Sequence, residues 1–164
     1  MSRDIDIDFQ MIVDRVIKIL GKNINIMNKD GIIVASGDEG RINTFHKASM
    51  EAALKGKEII VDESNEGDYP GSHKGVNLPI NYNGSATGVV RITGKPYEVK
   101  PYGLIVKELV ELMAAEQGKK KSEFLELRAK KNFALELIRN NDEKLIEELN
   151  ERAKLIKFDL NIKR

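Results

Sequence analysis

The sequence predicts an α+β domain in which about five antiparallel strands have helices at one side. Apolar residues recur with helical spacing near the start of the chain and again after residue 101. Between these segments, short β-branched runs flank turn-forming residues, which is typical of antiparallel hairpins. A curved sheet of this kind suits a ligand cavity, as in small sensor domains.

The first predicted elements are a helix over residues 9–20 and a hairpin after it. The helix has one apolar face, formed by residues at intervals of three and four: Phe9, Ile12, Val13, Val16, Ile17 and Leu20. Asp8 is expected to cap the start of this helix and Gly21 to follow its end. The β-branched runs on either side of Lys29-Asp30-Gly31 predict two strands joined by a turn.

A short helix and three further strands follow. The alanine-rich segment "NTFHKASMEAALKG" predicts a helix that begins near Asn43 or Thr44. "KEIIVD" is the third predicted strand, and the loop of residues 62–75 after it is rich in turn residues. Two more strands flank Asn83-Gly84, a strong hairpin turn. Pro79 is expected at an edge or a break in the sheet, since proline has no N–H to donate.

The C-terminal part of the chain predicts a helical extension. Pro96 and Pro101 bracket the start of a helix that continues to about residue 117. The following sequence is highly charged and predicts a helix to about residue 139, a break at "NND" and a second helix to about residue 157. No strand follows to bury the apolar stripes of these helices. We therefore expect either a truncated chain or a dimer surface.

Composition excludes several classes of function. The 164 residues include no cysteine, which excludes disulfides, thiol nucleophiles and zinc–thiolate sites. A net charge of +1 gives no general attraction to nucleic acid or anionic lipid. No apolar run approaches the length of a membrane span, about 18 residues, and the acidic N-terminus is unlike a secretory signal. We therefore expect a cytoplasmic protein with no membrane partner.

The segment "ASGDEGRINTFHKA" is the first candidate site. If a helix begins near Thr44, Arg41 lies beside its N-terminus and His46 in its first turn. A helix N-terminus presents free N–H groups and partial positive charge, and arginine grips a carboxylate through two parallel hydrogen bonds. The alternative is purely structural: Asn43 or Thr44 caps the helix while Arg41 pairs with Asp38 or with the glutamate that follows it. Spacing alone favours this alternative, since caps are common and anion sites are rare.

"HKGVNLPI" and "VVRITGKP" contain the other candidates. Lys74 and the backbone amides around Gly75 to Leu78 provide donors, although a lysine beside glycine is usually solvated. Asn77 is less easily explained, because asparagine is disfavoured within a strand unless its amide binds something specific. Strand alternation puts Arg91 and Thr93 on one face, which is either solvent or a cavity. Solvent is the default expectation for that face.

Catalysis is disfavoured by what the sequence lacks. There are only two histidines, and no cluster of histidine and carboxylate residues has metal-ligand spacing. The sequence contains neither a nucleophile elbow nor a phosphate-binding loop. We therefore expect no enzymatic activity, no metal and no cofactor. Two alternatives to a sensor stay open: an enzyme that acts on a small hydroxy-acid with His46 as general base, and a dimerisation module without a ligand.

Taken together, these segments resemble the sugar diacid recognition domain of the carbohydrate diacid regulators, a family of bacterial transcription factors. The motifs "INIM", "SGD", "RI" followed by histidine, "NLPI" and "ITG" occur in this order and are jointly specific. The resemblance implies a cytoplasmic sensor domain of the PAS/Cache type that binds sugar acids such as glucarate, galactarate or glycerate. It also implies a longer protein whose C-terminal helix-turn-helix, missing from this chain, binds DNA.

The resemblance further implies a division of the chain. Residues 1–117 correspond to the sensor domain, and residues 118–164 to a helical linker and the truncated start of the next domain. The tail "LIEELNERAKLIKFDLNIKR" is similar to the opening of that middle domain. We expect a homodimer formed through Pro101–Gln117 and the helix after it, with packing that responds to the ligand.

The expected ligand-binding residues combine the resemblance with the candidates above. They are Ser36, Arg41, Thr44, His46, Lys74, Gly75, Asn77, Leu78, Arg91 and Thr93. In this hypothesis Arg41 and His46 hold one carboxylate of a diacid, and Lys74 and Asn77 hold the other. Ser36 and Thr93 bind hydroxyl groups of the ligand.

Three positions depart from the pattern that the resemblance implies. The positions that match it also include Gly37, Asp38, Ile42, Pro79 and Gly94. Asn43 and Arg91 stand where glycine is expected, and Ser49 occupies a small-residue position. Arg91 matters most for the ligand. If it points into the cavity, its side chain adds a charge and fills volume.

Overall fold

The described residues, 7–139 in this computed structural model, form a five-stranded antiparallel sheet and three α-helices. In chain order the elements are α1 (Phe9–Leu20), β1 (Ile24–Asn28), β2 (Ile33–Ser36), α2 (Lys47–Lys55), β3 (Ile59–Val61), β4 (Gly75–Tyr82), β5 (Ser85–Thr93) and α3 (Pro96–Arg139). The strand order across the sheet is β2-β1-β5-β4-β3, and neighbouring strands are antiparallel. This arrangement confirms the predicted α+β class and the predicted order of elements.

Local sequence explains the bounds of α1 and the hairpin between β4 and β5. The Asp8 carboxylate accepts a hydrogen bond from the Met11 N–H at 2.9 Å, and Gly21 ends the helix with a φ of 63°. Asn83 and Gly84 have φ values of 50° and 79°, as a two-residue turn between twisted strands requires. Both the caps and the turn are confirmed as predicted.

Pro79 lies beyond the part of β4 that pairs with β3. That pairing involves Gly75, Val76 and Asn77, whereas Pro79 is paired with Val89 of β5. The missing N–H of the proline therefore interrupts no pairing with β3. This position confirms the expected edge location.

The start of α2 differs from the sequence prediction. The helix begins at Lys47, with His46 as its N-cap, rather than near Asn43 or Thr44. Asn43 has a φ of 67°, a left-handed conformation that an α-helix does not accommodate. His46 is therefore not in the first turn of the helix but caps it.

α3 is one continuous helix where the sequence predicted two. It begins at Pro96, whose fixed φ suits the first helical position, and it includes Pro101. The expected break at residues 140–142 and the helix after it lie outside the described residues. The chain comprises two compact units, residues 1–117 and 118–164. Their assignment to a sensor domain and the start of a further domain remains a prediction.

The two faces of the sheet differ in character. One face is apolar and packs against α1 and the part of α3 before residue 117, through Ile12, Val13, Val99, Val106, Val110 and Ala114. Gly103 allows α3 to approach closely, since a Cβ there would lie 2.9 Å from Leu78 Cδ1 and 3.0 Å from Ile92 Cγ2. The opposite face packs against α2 and contains most of the buried polar side chains, so the prediction that the helices lie at one side of the sheet is wrong.

Candidate ligand-binding site

A row of four buried polar side chains crosses the sheet on the face that α2 covers. Ser36 of β2, Asn25 of β1, Arg91 of β5 and Asn77 of β4 are successive cross-strand partners. Each of them is at most 1% exposed. The Ser49 hydroxyl of α2 donates to Oδ1 of Asn77 at 2.9 Å, so the Asn77 end of the row lies beneath α2. We call these four side chains the polar row.

Arg91 is the largest fully buried side chain of the described residues. Its Nη2 donates to the carbonyl oxygen of His73 at 2.6 Å, whereas Nε and Nη1 have no hydrogen-bond partner within residues 7–139. Glycine at position 75 leaves room for the guanidinium, because a Cβ there would lie 3.1 Å from Nη1. The default expectation that Arg91 faces solvent is therefore wrong.

Two further buried polar atoms lack a partner in the described part of the chain: Oγ1 of Thr93 and Nδ2 of Asn25. Thr93 follows Arg91 by two residues on the same face of β5, and Asn25 is the direct cross-strand partner of Arg91. An unpaired buried donor typically costs about 1–3 kcal/mol. Several such atoms in one place are best explained by a ligand or ordered water that completes their hydrogen bonds.

His46 joins α2 to the loop before β4. Its Nδ1 accepts the Ser49 N–H at 3.3 Å, so the neutral ring carries its proton on Nε2, which lies 2.9 Å from Oγ of Ser72. Burial, and then the charges of Arg91 and Arg41, lower the pKa of His46 to about 3. The imidazole is therefore neutral at physiological pH and adds no charge to the site.

Arg41 is half-buried in the turn between β2 and α2. Burial, and then the charge of Arg41, lower the pKa of Arg91 to about 10, so the Arg91 guanidinium remains charged at neutral pH. Among the described residues, no hydrogen bond or ion pair engages the Arg41 guanidinium, and Asp38 instead accepts from the Gly40 N–H at 3.0 Å. The site thus combines two arginines with no carboxylate partner in residues 7–139.

Asn77 is held by the protein itself. Its Oδ1 accepts from Ser49, and its Nδ2 donates to the carbonyl oxygen of Ile59 at 2.9 Å. Ser36 is similarly occupied, because its hydroxyl donates to Oδ1 of Asn25 at 2.7 Å and accepts from the Asp38 N–H at 3.0 Å. These two residues shape the site, while the unpartnered polar atoms belong to Arg91, Asn25 and Thr93.

Three of the predicted site residues direct their side chains elsewhere. Leu78 is buried in the cluster that α1 and α3 cover. Lys74 forms a surface ion pair with Glu63. The exposed Thr44 donates its hydroxyl to the carbonyl oxygen of Arg41 at 2.6 Å. The predicted residues that lie in or beside the polar row are Ser36, Arg41, His46, Gly75, Asn77, Arg91 and Thr93.

Asn25, Ser49 and Ser72 belong to this site but are absent from the predicted set. Asn25 in "NINIMN" carries the same signal as Asn77, since both are asparagines within a strand. Ser49 and Ser72 gave no such signal, because serine is common in short helices and loops.

Two surface depressions of about 410 and 430 Å³ lie away from the polar row. Lys74, Asp62 and Tyr97 are among the residues that line the first depression. Among residues 7–139, no group of three or more histidine and acidic side chains is arranged to hold a metal ion. No helix of this part of the chain has the length and apolar character of a membrane span.

Comparison with known proteins places this chain in a family. Residues 8–137 match the model of the family described as "Putative sugar diacid recognition". The chain belongs to this family. The match confirms the resemblance that the ordered motifs indicate.

Two curated relatives of this sugar diacid recognition domain are similar in sequence. A Haemophilus influenzae protein described as uncharacterized is 35% identical over 151 residues, which are 92% of this chain and 40% of that protein. The "Carbohydrate diacid regulator" of Escherichia coli is 34% identical over 104 residues, which are 63% of this chain and 27% of the regulator. The chain therefore spans less than half the length of either relative.

The fold is also similar to a solved structure. The GAF domain of an Acinetobacter phosphoenolpyruvate-protein phosphotransferase superposes with a TM-score of 0.51 at 11% identity, covering 67% of this chain and 81% of that domain. At this identity the likeness shows the fold alone. GAF domains have a PAS-like fold, so the PAS/Cache-like class that the resemblance implied is confirmed.

Proposed function

We propose that this chain is the ligand-sensing domain of a cytoplasmic transcriptional regulator and that it binds a sugar diacid or a related hydroxy-acid of the glucarate, galactarate or glycerate type. The observation that carries the proposal is the buried Arg91 with two unpartnered nitrogens. Membership of the sugar diacid recognition family supports the class of ligand. The name of the Escherichia coli relative supports the role in a regulator.

Charge and hydrogen bonding support an anionic, hydroxylated ligand. Arg91 and Arg41 are two cations without a carboxylate partner among residues 7–139, and His46 is neutral beside them. Charge-assisted hydrogen bonds from arginine to a carboxylate are stronger than neutral ones, by roughly a factor of two. The burial of a guanidinium without a partner is unfavourable. An acid that enters this site therefore stabilises the protein, because its carboxylate pairs with that charge.

The proposed signal leaves through the terminal helices of a homodimer. Arg91 lies in β5 between Val90 and Ile92, whose side chains are buried on the opposite, apolar face. Ile92 is in close contact with α3 at Gly103. A ligand that pulls on Arg91 thus acts on the strand against which α3 packs, and differential affinity for two positions of α3 supplies the coupling. DNA is bound by a C-terminal helix-turn-helix of the longer protein.

Calorimetry with glucarate, galactarate and glycerate tests the proposal. Arg41→Ala should weaken binding of whichever acid binds by tenfold or more, because a charge-assisted hydrogen bond contributes about 1.5–3 kcal/mol. Arg15→Ala, at an exposed position of α1, is the control and should leave the affinity unchanged. Equal affinity of Arg41→Ala and the parent chain contradicts the role of Arg41.

A thermal-shift panel of organic acids tests the sensor function itself. A ligand at 100 times its dissociation constant adds about 2.7 kcal/mol to the free energy of unfolding. Stabilisation by at least one hydroxy-acid is the expected result. Absence of any stabilisation favours a dimerisation module without a ligand, and chemical turnover of a bound acid favours an enzyme.

A further inference from the structure

We propose that Arg91, Thr93 and Asn25 together recognise a 2-hydroxycarboxylate group, with the carboxylate at Arg91 and the adjacent hydroxyl at Thr93 and Asn25. This inference rests on the proposed acid-sensing function and names the part of the ligand that the buried site reads. It assigns the primary anchor to Arg91 rather than to Arg41. It also brings in Asn25, which the sequence did not single out.

The unpartnered atoms define the chemistry of the group that completes them. Nε and Nη1 of Arg91 and Nδ2 of Asn25 can only donate hydrogen bonds, whereas Oγ1 of Thr93 can donate or accept. A carboxylate accepts from the guanidinium and carries the charge that this buried cation lacks. A hydroxyl group accepts from the Asn25 amide and donates to Thr93, so both of its hydrogen-bonding functions are used.

Cross-strand pairing places the residues that carry these atoms next to one another on one face of the sheet. The position that a Cβ of residue 75 would take lies 3.1 Å from Arg91 Nη1 and 3.2 Å from Thr93 Cα. Asn25 is paired directly with Arg91 across β1 and β5. A ligand with a carboxylate and a hydroxyl on adjacent carbons therefore matches unpartnered groups on neighbouring residues.

The neighbouring polar groups are already hydrogen-bonded within the protein, so they are not available to bind this hydroxyl. Asn77 is engaged by Ser49 and by the Ile59 carbonyl oxygen, and Ser36 is engaged by Asn25 Oδ1 and the Asp38 N–H. Arg91 Nη2 donates to the His73 carbonyl oxygen and so fixes the guanidinium. Thr93 and Asn25 remain the groups open to a ligand hydroxyl.

The test compares acids with and without this hydroxyl, with Thr93→Val as the variant. Titration calorimetry measures glycerate against 3-hydroxypropionate, which lacks only the 2-hydroxyl, and glucarate against adipate, which lacks all four hydroxyls. The parent chain should bind the 2-hydroxy acid of each pair at least tenfold more tightly, and Thr93→Val should reduce the preference between glycerate and 3-hydroxypropionate at least fivefold. Thr87→Val removes a half-buried hydroxyl from the same strand, where it donates to the Ile80 carbonyl oxygen at 3.4 Å, and should retain the preference.

Arg91→Gln provides a second readout, because it removes the charge and keeps a polar side chain. Binding of every acid in the series should fall at least tenfold, while circular dichroism and thermal unfolding confirm that the variant is folded. Equal binding of the two acids of each pair, or an unchanged preference in Thr93→Val, overturns this inference and leaves the acid sensor standing. Failure of every acid to bind the parent chain overturns the sensor function and this inference together.

Discussion

Asn25 of β1 and Arg91 of β5 are direct cross-strand partners, and each keeps a buried side-chain nitrogen without a hydrogen-bond partner in the described residues. Two donors that face each other in a sheet cannot satisfy one another. Such an arrangement lowers the stability of the ligand-free protein and persists where the surrounding fold holds it in place. This arrangement supports the proposal that the two residues bind a ligand.

Arg91→Met tests whether the buried charge of Arg91 lowers the stability of the ligand-free protein and is needed for binding. Methionine keeps much of the side-chain volume but removes the buried charge, so the ligand-free variant should be more stable by about 1–3 kcal/mol. The same variant should no longer be stabilised by acids. Urea denaturation with and without glycerate measures both effects, and Arg15→Met on the exposed side of α1 should change stability by less than about 0.5 kcal/mol. A variant that is destabilised yet still responds to acid contradicts the prediction.

Gly75→Ala tests whether this position must lack a side chain. A Cβ at residue 75 would overlap the carbonyl oxygen of Ile92 and lie 3.1 Å from Arg91 Nη1. Because the obstacle includes strand backbone, relief requires a shift of β4 against β5, and we expect a loss of about 1–3 kcal/mol in unfolding free energy. Gly67→Ala is the matched control, since no atom lies within 4 Å of its added Cβ. Equal stability of both variants would show that the sheet yields easily here.

The elements that the sequence predicts best are those set by local chemistry. Asp8 and Gly21 bound α1, and Asn83-Gly84 forms the hairpin turn, because caps and tight turns depend on a few adjacent residues. The predicted start of α2 is wrong, because the local sequence there offers more than one possible cap. Histidine is an uncommon cap, and the left-handed Asn43 was interpreted as a cap residue instead of a turn residue.

The candidate site depends on which face of the sheet is covered, which strand alternation does not reveal. Alternation puts Arg91 and Thr93 on one face, but only the packing of α2 against that face makes it an interior. Lys74 and Leu78 lie beside Gly75 and Asn77 in sequence, yet one forms a surface pair with Glu63 and the other is in the apolar cluster. The side chains of adjacent strand residues point to opposite faces of the sheet. Consecutive residues of a sequence motif in a strand therefore cannot all belong to one site.

His46 predicts a dependence of stability on pH. Its pKa is about 3 in the folded chain against an ordinary value of 6.5, so between these limits the unfolded state binds more protons. Stability from this residue is therefore present above pH 6.5 and is lost as pH falls towards 3, by up to about 1.4 kcal/mol per pH unit. His46→Asn keeps a side-chain acceptor for the Ser49 N–H but does not titrate.

Urea denaturation between pH 4 and 8 measures the free energy of unfolding of the parent chain and of His46→Asn. The parent chain should lose stability faster below pH 6.5 than His46→Asn does, and the two slopes should converge above that pH. The same change at His73, an exposed residue of the neighbouring loop, controls for the loss of a histidine. Parallel pH profiles for the parent chain and His46→Asn contradict the buried, neutral state of His46.

The exposed side of α3 predicts how the proposed homodimer forms. Tyr102, Ile105, Leu109 and Leu112 follow one another at intervals of three and four, and Ile105 and Leu112 are each 67% exposed. This spacing matches the apolar seam of a two-stranded coiled coil. We expect a second copy of the chain to cover these residues, since a continuous exposed apolar stripe is unfavourable in water.

Light scattering after size-exclusion chromatography measures the mass of the protein in solution. The parent chain should elute with the mass of a dimer, and the double variant Ile105→Glu, Leu109→Glu with that of a monomer, because two acidic side chains in the seam oppose association. Ala115→Glu adds the same charge at an exposed position of α3 outside the stripe and should leave the dimer intact. Circular dichroism confirms that the variants keep their helices. A parent chain that is monomeric at micromolar concentration, with and without an acid ligand, contradicts the proposed route from Arg91 through α3 to a partner subunit.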